Sequence, residues 1–455
     1  MIQIDNKLQN LVDPPKPRTA SHPASPENEA AAGEMLMTSL AEALHRYGTA
    51  SHELEEILQA CAEKLQLDAA FFSTPTAIFI SFPASSRRQT VLQRVSPGEI
   101  DLQKLVEVDR IVTRFLNDQD SIQAATLSLK QLSSKPGAFS PLVSVIGFGI
   151  ASGTVVSFFQ GGSREILVTS MIGLLVGGLE QVARWNPDFA RAYCAIASFL
   201  AAFLAVAASR IFPGLSSEIV TLGSLIVLVP GLTITMAVGE LARQHLASGT
   251  SRFMGAVLLF LILGFGVALG RNLGLQLLRP PESVLSPAGP LMFCLCLLLA
   301  PVSFAILFRT RKKDILLVFL TCLLGFGCGK MGAFLVGVQL GPALRSFGVA
   351  VFSNLVSRAL KQPAALTLVP GLMFLVPGSI GFLGFQALVE QETMAGMQSA
   401  FQVLFVSAAL VSGLLMANVL VHPRRWTVPP VSAALPKTVG EEPSGEAADC
   451  LDRQD

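Results

Sequence analysis

The sequence predicts an α-helical polytopic membrane protein with a small soluble α+β domain near its N-terminus. Three observations lead to this fold class. The 455-residue chain is 51% apolar and only 14% charged, whereas soluble chains carry about 25% charged residues. Its mean hydropathy is +0.56. Long apolar runs fill the middle of the chain, and the charged residues concentrate toward its two ends.

Composition also excludes several classes of function. The net charge of +1 is too small for a nucleic-acid-binding surface, which needs clustered cations, so no nucleic-acid partner is expected. The seven cysteines form no CxxC pair and mostly lie in apolar runs, so we expect neither a disulfide framework nor a metal site. No HExxH motif and no GxxxxGKS/T phosphate loop occurs. The sequence therefore predicts neither an enzyme nor a bound cofactor.

Soluble segments are predicted on both sides of the apolar region. Residues 1–34 are rich in proline and acids, and residues 422–455 form an acidic tail, so both are expected to be disordered and cytoplasmic. Residues 35–137 are expected to form a cytoplasmic α+β domain. Helical periodicity marks 35–47, 52–67, 101–117 and 121–132, whereas 69–82 and 90–95 have the composition of strands.

The rest of the chain divides into ten predicted transmembrane helices, because a span needs roughly 17 to 25 mainly apolar residues. The first five cover 138–159, 166–182, 192–212, 219–239 and 253–275. The second five cover 290–308, 315–338, 343–360, 364–389 and 396–421. With the N-terminal domain in the cytoplasm, the cytoplasmic loops and the residues just after the last span carry twelve Lys and Arg residues, and the loops on the other side carry four. The positive-inside rule therefore supports ten spans with both termini cytoplasmic.

A short repeat divides the ten spans into two sets of five. The fourth span contains IVLVPGLTI at 226–234, and the ninth contains LTLVPGLMF at 366–374. Because five is an odd number, the second set enters the membrane from the opposite side. The sequence therefore predicts two inverted five-helix repeats, 138–275 and 290–421, which is the plan of many secondary transporters.

The Pro-Gly pairs of this repeat predict helix breaks at membrane depth. Proline removes a backbone donor, and the freed backbone groups are tolerated only where protein or a water-filled cavity satisfies them. A simple packing kink is the alternative explanation for either pair alone. The candidate substrate-binding residues are the pairs, their neighbours and polar residues within the spans: Pro230, Gly231, Thr233, Thr235, Lys330, Asn354, Pro370, Gly371, Pro377, Gly378 and Ser379.

Ionisable residues at membrane depth also indicate function, because they are costly there and usually face a cavity or a partner. Lys330 lies well inside the seventh span, so we expect it to have a functional or ion-paired role. Glu180 and Glu240 lie near cytoplasmic ends of spans and are the candidates for proton coupling. Arg345 lies near the outer end of the eighth span. For such span-end residues, snorkelling to the interface is the main alternative.

Several regions of the chain resemble a known family of transporters. They are residues 45–82, the VSPGEIDLQKLVEVDRIV run within 94–132, Gln160–Gly162 after the first span, and residues 301–382, which open with PVSFAILF and close with PGSIGF. In this order they resemble the threonine/serine exporter family, with the N-terminal and C-terminal halves fused in one chain. Some bacteria encode the C-terminal half of this family as a separate small protein.

This resemblance implies a secondary exporter of L-threonine and L-serine in the bacterial cytoplasmic membrane, driven by the proton motive force. The carboxylate of the substrate would then lie near Gly231, Gly371 or Lys330, and its ammonium near Glu240. Protons and the lipid bilayer are the other expected partners, and self-association of the chain is left open. Three alternatives remain: an exporter of small carboxylates or dicarboxylates, a sensor or hydrolase domain anchored by the helices, and a passive channel.

Overall fold

The computed structural model describes residues 26–83, 88–279, 281, 286–373 and 377–424, and these are mostly helical. The predicted tails lie largely outside the described residues. The first helix begins at Pro26 and therefore includes residues 26–34, which were expected to belong to the N-terminal tail. The reason is local composition, because the alanine and glutamate residues of this segment favour a helix.

The N-terminal unit, residues 26–134, contains four helices and a three-stranded sheet. Its helices are α1 (Pro26–Arg46), α2 (Ser51–Lys64), α3 (Leu102–Leu116) and α4 (Ile122–Ser134). Its strands are β1 (Ala70–Thr74), β2 (Ala77–Pro83) and β3 (Arg88–Arg94), which pair antiparallel in the order β1-β2-β3. The run 69–82, predicted as one strand, is thus a hairpin. The Thr74 hydroxyl accepts a hydrogen bond from the Ala77 amide at 3.1 Å and closes its turn.

The core of the N-terminal unit continues into the membrane helices. Leu54 and Leu58 of α2 are spaced one helical turn apart and are fully buried, as are Ile78 and Ile80 on one face of β2. Leu366, more than 200 residues further along the chain, packs in the same core. The N-terminal unit is therefore seated directly on the membrane helices.

Eleven further helices follow in the described residues and form two sets. The first helix set comprises α5 (Pro141–Val156), α6 (Ser163–Trp185), α7 (Pro187–Ile211), α8 (Ser217–Leu225), α9 (Gly231–Ala242) and α10 (Leu246–Leu278). The second helix set comprises α11 (Pro290–Leu307), α12 (Ile315–Leu360), α13 (Ala365–Met373), α14 (Gly378–Val389) and α15 (Thr393–Leu420).

Seven helices of the described residues are long and apolar enough to cross a membrane by length and composition. They are α5 with its following turn, α6, α7, α10, α11, the part of α12 up to Gly337, and α15. The bent pair α13 and α14 makes an eighth if it forms one span. The protein is therefore a polytopic membrane protein. The count of ten adds the pair α8 and α9 and the second part of α12, and it stays a prediction, as do the inverted repeats and the domain limits.

The helix α12 consists of two arms, 315–336 and 338–360, that fold back on each other at Gly337. This glycine has φ +84° and ψ 166°, a conformation that side chains with a Cβ rarely adopt. A Cβ built on Gly332 would lie 2.8 Å from the Gly341 carbonyl oxygen, and one built on Gly348 would lie 2.7 Å from Cys328 Sγ. Residues of the two arms that lie at similar sequence distances from Gly337 therefore contact each other. The glycines at these contacts allow the two arms to pack closely.

Two helices of the membrane region are interrupted, one in each set. Pro230 is the N-cap residue of α9, and five residues, 226–230, separate the end of α8 at Leu225 from the start of α9 at Gly231. Pro377 is likewise the N-cap residue of α14. The two helix starts meet, because a Cβ built on Gly378 would lie 3.2 Å from the Cα of Gly231.

The interruption in the second set lies at the second Pro-Gly pair, so the predicted break at Pro370 and Gly371 is wrong. Helix α13 runs through both residues. Pro370 is only the second-turn residue of this short helix, so its missing N–H removes the hydrogen bond to a single carbonyl, that of Leu366. The Pro370 carbonyl in turn accepts a hydrogen bond from Cys322 Sγ at 3.4 Å. Helix α13 therefore continues through the pair with one hydrogen bond fewer.

Candidate functional site

A cavity with a volume of about 780 Å³ lies between the two helix sets. Helix α5 lines it along most of its length, through Ser144, Phe148, Ala151 and Thr154, followed by Phe158 in the next turn. At 1.5 Å per helical residue, this row spans roughly 20 Å. The cavity is therefore long enough to cross a large part of the helical region.

One end of the cavity is a charged mouth beside the N-terminal unit. Glu99 lies in the loop before α3, and its carboxylate accepts hydrogen bonds from Arg184 at 3.1 Å and from Arg309 at 2.6 Å. Arg184 also pairs with Glu180 at 2.5 Å. Because Arg184 ends α6 and Arg309 follows α11, Glu99 connects the two helix sets across this mouth.

The loop that carries Glu99 is held in place by backbone hydrogen bonds. The amides of Leu102 and Gln103, at the start of α3, donate to the carbonyls of Phe308 and Arg309 at 3.0 and 3.2 Å. These bonds satisfy two of the amides that a helix start leaves without intrahelical partners. The start of α3 is thereby fixed to the end of α11.

The other end of the cavity combines aromatic rings with a guanidinium group. Phe158 and Phe326 both line the cavity, and their ring centroids lie 6.3 Å apart in an edge-to-face arrangement. Arg345, on the second arm of α12, lines the same cavity. Gly329 lies opposite it on the first arm, where any Cβ would overlap the Arg345 side chain. This pairing of the arms gives the Arg345 side chain its room.

The interrupted helices contribute hydroxyl groups to the cavity. Thr233 lies in the first turn of α9 and Ser379 in the first turn of α14, and both line the cavity. The amides in the first turn of a helix lack intrahelical partners and carry partial positive charge. The meeting of the two helix starts therefore places Thr233, Ser379 and two helix N-termini beside one cavity.

The remaining residues of the interruptions have backbone and packing positions. Pro230, Gly231, Pro377 and Gly378 are buried at the crossing of the two helix starts. Thr235 is buried, and its hydroxyl donates to the Gly231 carbonyl at 3.2 Å, within its own helix. These residues shape the interruption, and none of the five lines the cavity.

The structure places three other predicted substrate-binding residues away from the cavity lining. Gly371 is buried between the arms of α12, where a Cβ would lie 2.7 Å from Thr321 Cγ2, and Pro370 precedes it inside α13. The buried amide of Asn354 donates to Asn418 Oδ1 at 2.8 Å and to the Val421 carbonyl at 2.7 Å. Asn354 therefore ties α12 to the end of α15, as polar groups between membrane helices often do.

Lys330 also lies outside the cavity, on the exposed side of the first arm of α12. Its ammonium lies 5.8 Å from the ring centroid of Phe326, within the range of a cation–π interaction. Lys330 and Arg345 are seven and eight residues from the turn at Gly337, or roughly 10 to 12 Å along their arms. The two cations thus have similar depth, but only Arg345 reaches the cavity.

The two candidates for proton coupling have different surroundings. Glu180 lines the cavity near its mouth. Glu240 is fully buried elsewhere, at the joint between the N-terminal unit and α10. It accepts hydrogen bonds from the Ser51 amide at 3.1 Å, the Ser248 hydroxyl at 2.8 Å and Arg252 Nε at 3.2 Å. All of these contacts fit a structural anchor, since they satisfy a charge that burial would otherwise destabilise.

Titratable side chains of α2 surround this joint. The ring of His52 lies 6.1 Å from that of His245 between centroids, and Glu55 lies 3.7 Å from His245 Nδ1. Burial and the nearby Arg243 lower the pKa of His52 to about 3, whereas burial raises the pKa of Glu53 and of Glu55. The acidic face of α2 is therefore partly covered where the N-terminal unit meets residues 243–245 between α9 and α10.

The candidate site residues did not include Glu99, Phe158, Phe326 or Arg345, all of which line this cavity. Glu99 and the two phenylalanines belong to types that are common in loops and spans, and no spacing distinguishes them. Arg345 carried a signal, because a charge within an apolar span is costly. Its distance from Gly337 matches that of Gly329, so a reversal at Gly337 would have brought the two together.

The comparison with known families agrees with this architecture. Residues 35–274 match a family model described as a threonine/serine exporter, and residues 293–420 match a second threonine/serine exporter model. The chain belongs to the threonine/serine exporter family. Both halves of the resemblance found in the sequence are thereby confirmed. The members of this exporter family are transporters, which agrees with the expectation that this chain is not an enzyme.

Relatives among yeast proteins extend over most of the chain. Pheromone-regulated membrane protein 10 of Debaryomyces hansenii is 25% identical over 383 residues, or 81% of this chain and 37% of the relative. The proteins of the same name from Pichia sorbitophila and Saccharomyces cerevisiae are each 26% identical, over 81% and 79% of this chain and 38% and 47% of their own lengths. This chain therefore spans less than half the length of these relatives. No solved structure matches the chain.

Proposed function

We propose that this protein is a secondary exporter of L-threonine and L-serine, and that the cavity between the helix sets holds the substrate. The observation that carries the proposal is the lining of this cavity, to which both helix sets and the first turns of both interrupted helices contribute. Interrupted helices at the centre of a membrane protein expose backbone groups that must face protein or a cavity. Membership of the exporter family supports the choice of substrates.

We further infer ten spans in two inverted sets, with both termini and the N-terminal unit in the cytoplasm. Each set contains one interrupted helix followed by one long helix, α10 or α15, and the two interruptions meet at Gly231 and Gly378. This order supports the repeat plan, in which substrates bind between repeats at interrupted helices. A bacterial cytoplasmic membrane and proton coupling complete the proposal. Glu180 is the candidate proton carrier, since it is the predicted carboxylate that lines the cavity.

An export assay tests this function. Bacterial cells without their own threonine exporters would be loaded with a threonine-containing dipeptide, and threonine inside and outside the cells would be followed with and without this protein. We expect lower internal and higher external threonine in cells that carry it, and the same for serine. Collapse of the difference on adding an uncoupler would support coupling to protons. The same loss of both amino acids with and without the protein would contradict the function.

A second candidate function is the export of small carboxylates, which the guanidinium of Arg345 in the cavity lining favours. The same cells, loaded with a small mono- or dicarboxylate in place of the dipeptide, separate the two. Export of the carboxylate but not of threonine would favour the second candidate. Threonine export that persists with an uncoupler would instead indicate a passive channel.

A further inference from the structure

The charged side chains of the cavity are divided between its two ends. The lining contains three arginines and two glutamates. Arg184 and Arg309 lie at the mouth in ion pairs with Glu99 and Glu180. Arg345 lies at the other end, because it lines the cavity from α12 next to Phe326, which contacts Phe158 at the end of α5. Among the described lining residues, the end away from the mouth therefore has a guanidinium and no carboxylate.

The groups around that end suit a carboxylate. A guanidinium can donate two parallel hydrogen bonds to a carboxylate, and such charge-assisted bonds are among the strongest that proteins form. Elsewhere in the same lining, the first turns of α9 and α14 add Thr233 and Ser379, and the partial positive charge of these helix starts favours anions. Phe158 and Phe326 supply apolar walls. A small molecule with one carboxylate and a short side chain matches this combination.

The packing of α12 places Arg345 at this site. A Cβ on Gly329 would overlap the Arg345 side chain, so the glycine leaves a channel across the first arm for the guanidinium. A Cβ on Gly327, two residues earlier on the same arm, would meet nothing within 4 Å. The position of Arg345 therefore depends on one glycine and not on its neighbour.

We propose that Arg345 binds the carboxylate of the transported molecule at the end of the cavity away from the mouth, and that a free carboxylate is the feature by which this protein recognises its substrates. This inference rests on the proposed function, since it assigns a residue to the same cavity. Lys330, which the sequence suggested as a contact for the carboxylate, lies outside the cavity. The inference assigns this contact to Arg345, which has a similar depth on the facing arm of α12. A second carboxylate is not required for recognition.

Binding to the purified full chain tests this inference without relying on transport. The thermal unfolding midpoint in detergent would be followed during titration with L-threonine, L-threonine amide and L-lactate. We expect threonine and lactate to raise the midpoint and the amide, which has no carboxylate, to bind at least tenfold more weakly. Arg345→Gln should weaken the binding of threonine roughly tenfold to a hundredfold, the usual range for hydrogen bonds to charged groups. Lys330→Gln is the matched control and should bind like the parent.

A pair of glycine variants tests the placement of the guanidinium without changing a charge. Gly329→Ala should weaken threonine binding, because it displaces Arg345, whereas Gly327→Ala should not. Equal binding of threonine and its amide by the parent protein would overturn the inference, as would parent-like binding by folded Arg345→Gln. A parent that binds none of the carboxylates would overturn it as well. Binding of lactate but not threonine, lost in Arg345→Gln, would support this inference while contradicting the proposed substrates.

Discussion

At the scale of single residues, the clearest feature is the anchor built around Glu240. The carboxylate is fully buried, and the Ser51 amide, the Ser248 hydroxyl and Arg252 all donate to it. Ser51 begins α2 of the N-terminal unit, whereas Ser248 and Arg252 belong to α10. The buried Glu240 carboxylate therefore holds the N-terminal unit against a membrane helix. Glu240 does not line the cavity.

Replacing Glu240 by glutamine is expected to destabilise this joint. The glutamine can still accept the Ser51 amide, but the guanidinium of Arg252 loses its carboxylate partner in a largely buried site. Breaking a buried ion pair by removing one partner costs about 3 to 5 kcal/mol. The thermal unfolding midpoint should fall, and limited proteolysis should release the N-terminal unit sooner.

The control for this variant is Glu392→Gln, since Glu392 is exposed at the start of α15. Unchanged stability of Glu240→Gln, together with loss of proton-coupled export, would restore Glu240 as a coupling residue and contradict the anchor.

At the scale of elements, the interruptions of the membrane helices are set by close packing as much as by proline. Pro370 is accommodated inside α13, whereas Pro377 precedes the start of α14. Gly378 then packs against the first set, where a Cβ would lie 2.7 Å from Val229 Cγ1 and 3.2 Å from Gly231 Cα. The meeting of two helix starts leaves no room for a side chain at this position.

Substitution at these two positions should therefore have unequal effects. Pro370→Ala is expected to keep export near the parent rate, because it only restores one amide inside a continuous helix. Gly378→Ala should lower export severely, because its methyl group forces the two helix starts apart. Both variants would be measured in the threonine export assay at matched expression.

Gly255→Ala serves as the matched glycine control, since a Cβ at Gly255 meets nothing within 4 Å. Loss of export in Pro370→Ala, together with parent-like export in Gly378→Ala, would contradict this prediction. It would mean that function depends on the pair Pro370–Gly371 and not on the pair Pro377–Gly378.

At the scale of the whole molecule, the N-terminal unit covers the mouth of the cavity. Glu99 bridges Arg184 of the first helix set and Arg309 beyond α11 of the second. Leu366 of α13 belongs to the core of the same unit. The N-terminal unit thus contacts both helix sets at the mouth of the cavity.

Removing the Glu99 carboxylate should open this mouth to reagents. A cysteine introduced by Ala151→Cys, halfway along the cavity lining, would be labelled with a charged thiol reagent in the purified protein. We expect several-fold faster labelling when Glu99→Ala is added, since both ion pairs across the mouth are lost. The chain without Ala151→Cys corrects for its own cysteines.

The matched control is Glu63→Ala, because Glu63 is an exposed acid of α2 that does not line the cavity. If Glu99→Ala and Glu63→Ala label at the same rate, the loop before α3 does not restrict access.

The sequence by itself determined what depends on local composition and pattern. Apolar runs fixed most of the membrane helices, periodicity in α2 and α3 predicted their buried faces, and the Pro-Gly pairs at 230–231 and 377–378 marked real helix starts. Family membership followed from motifs in order. Each of these properties is encoded within a few turns of chain, where neighbours in sequence are also neighbours in space.

Only the tertiary structure decided which polar groups share a cavity. The reversal at Gly337 turns Arg345 inward and leaves Lys330 outside, although both are cations of similar depth in apolar spans. Docking of the N-terminal unit similarly buries Glu240 at a joint and brings Glu99 to the mouth of the cavity. The physical reason is that burial and charge pairing depend on contacts between residues far apart in the chain, and helical periodicity alone does not specify which faces will meet.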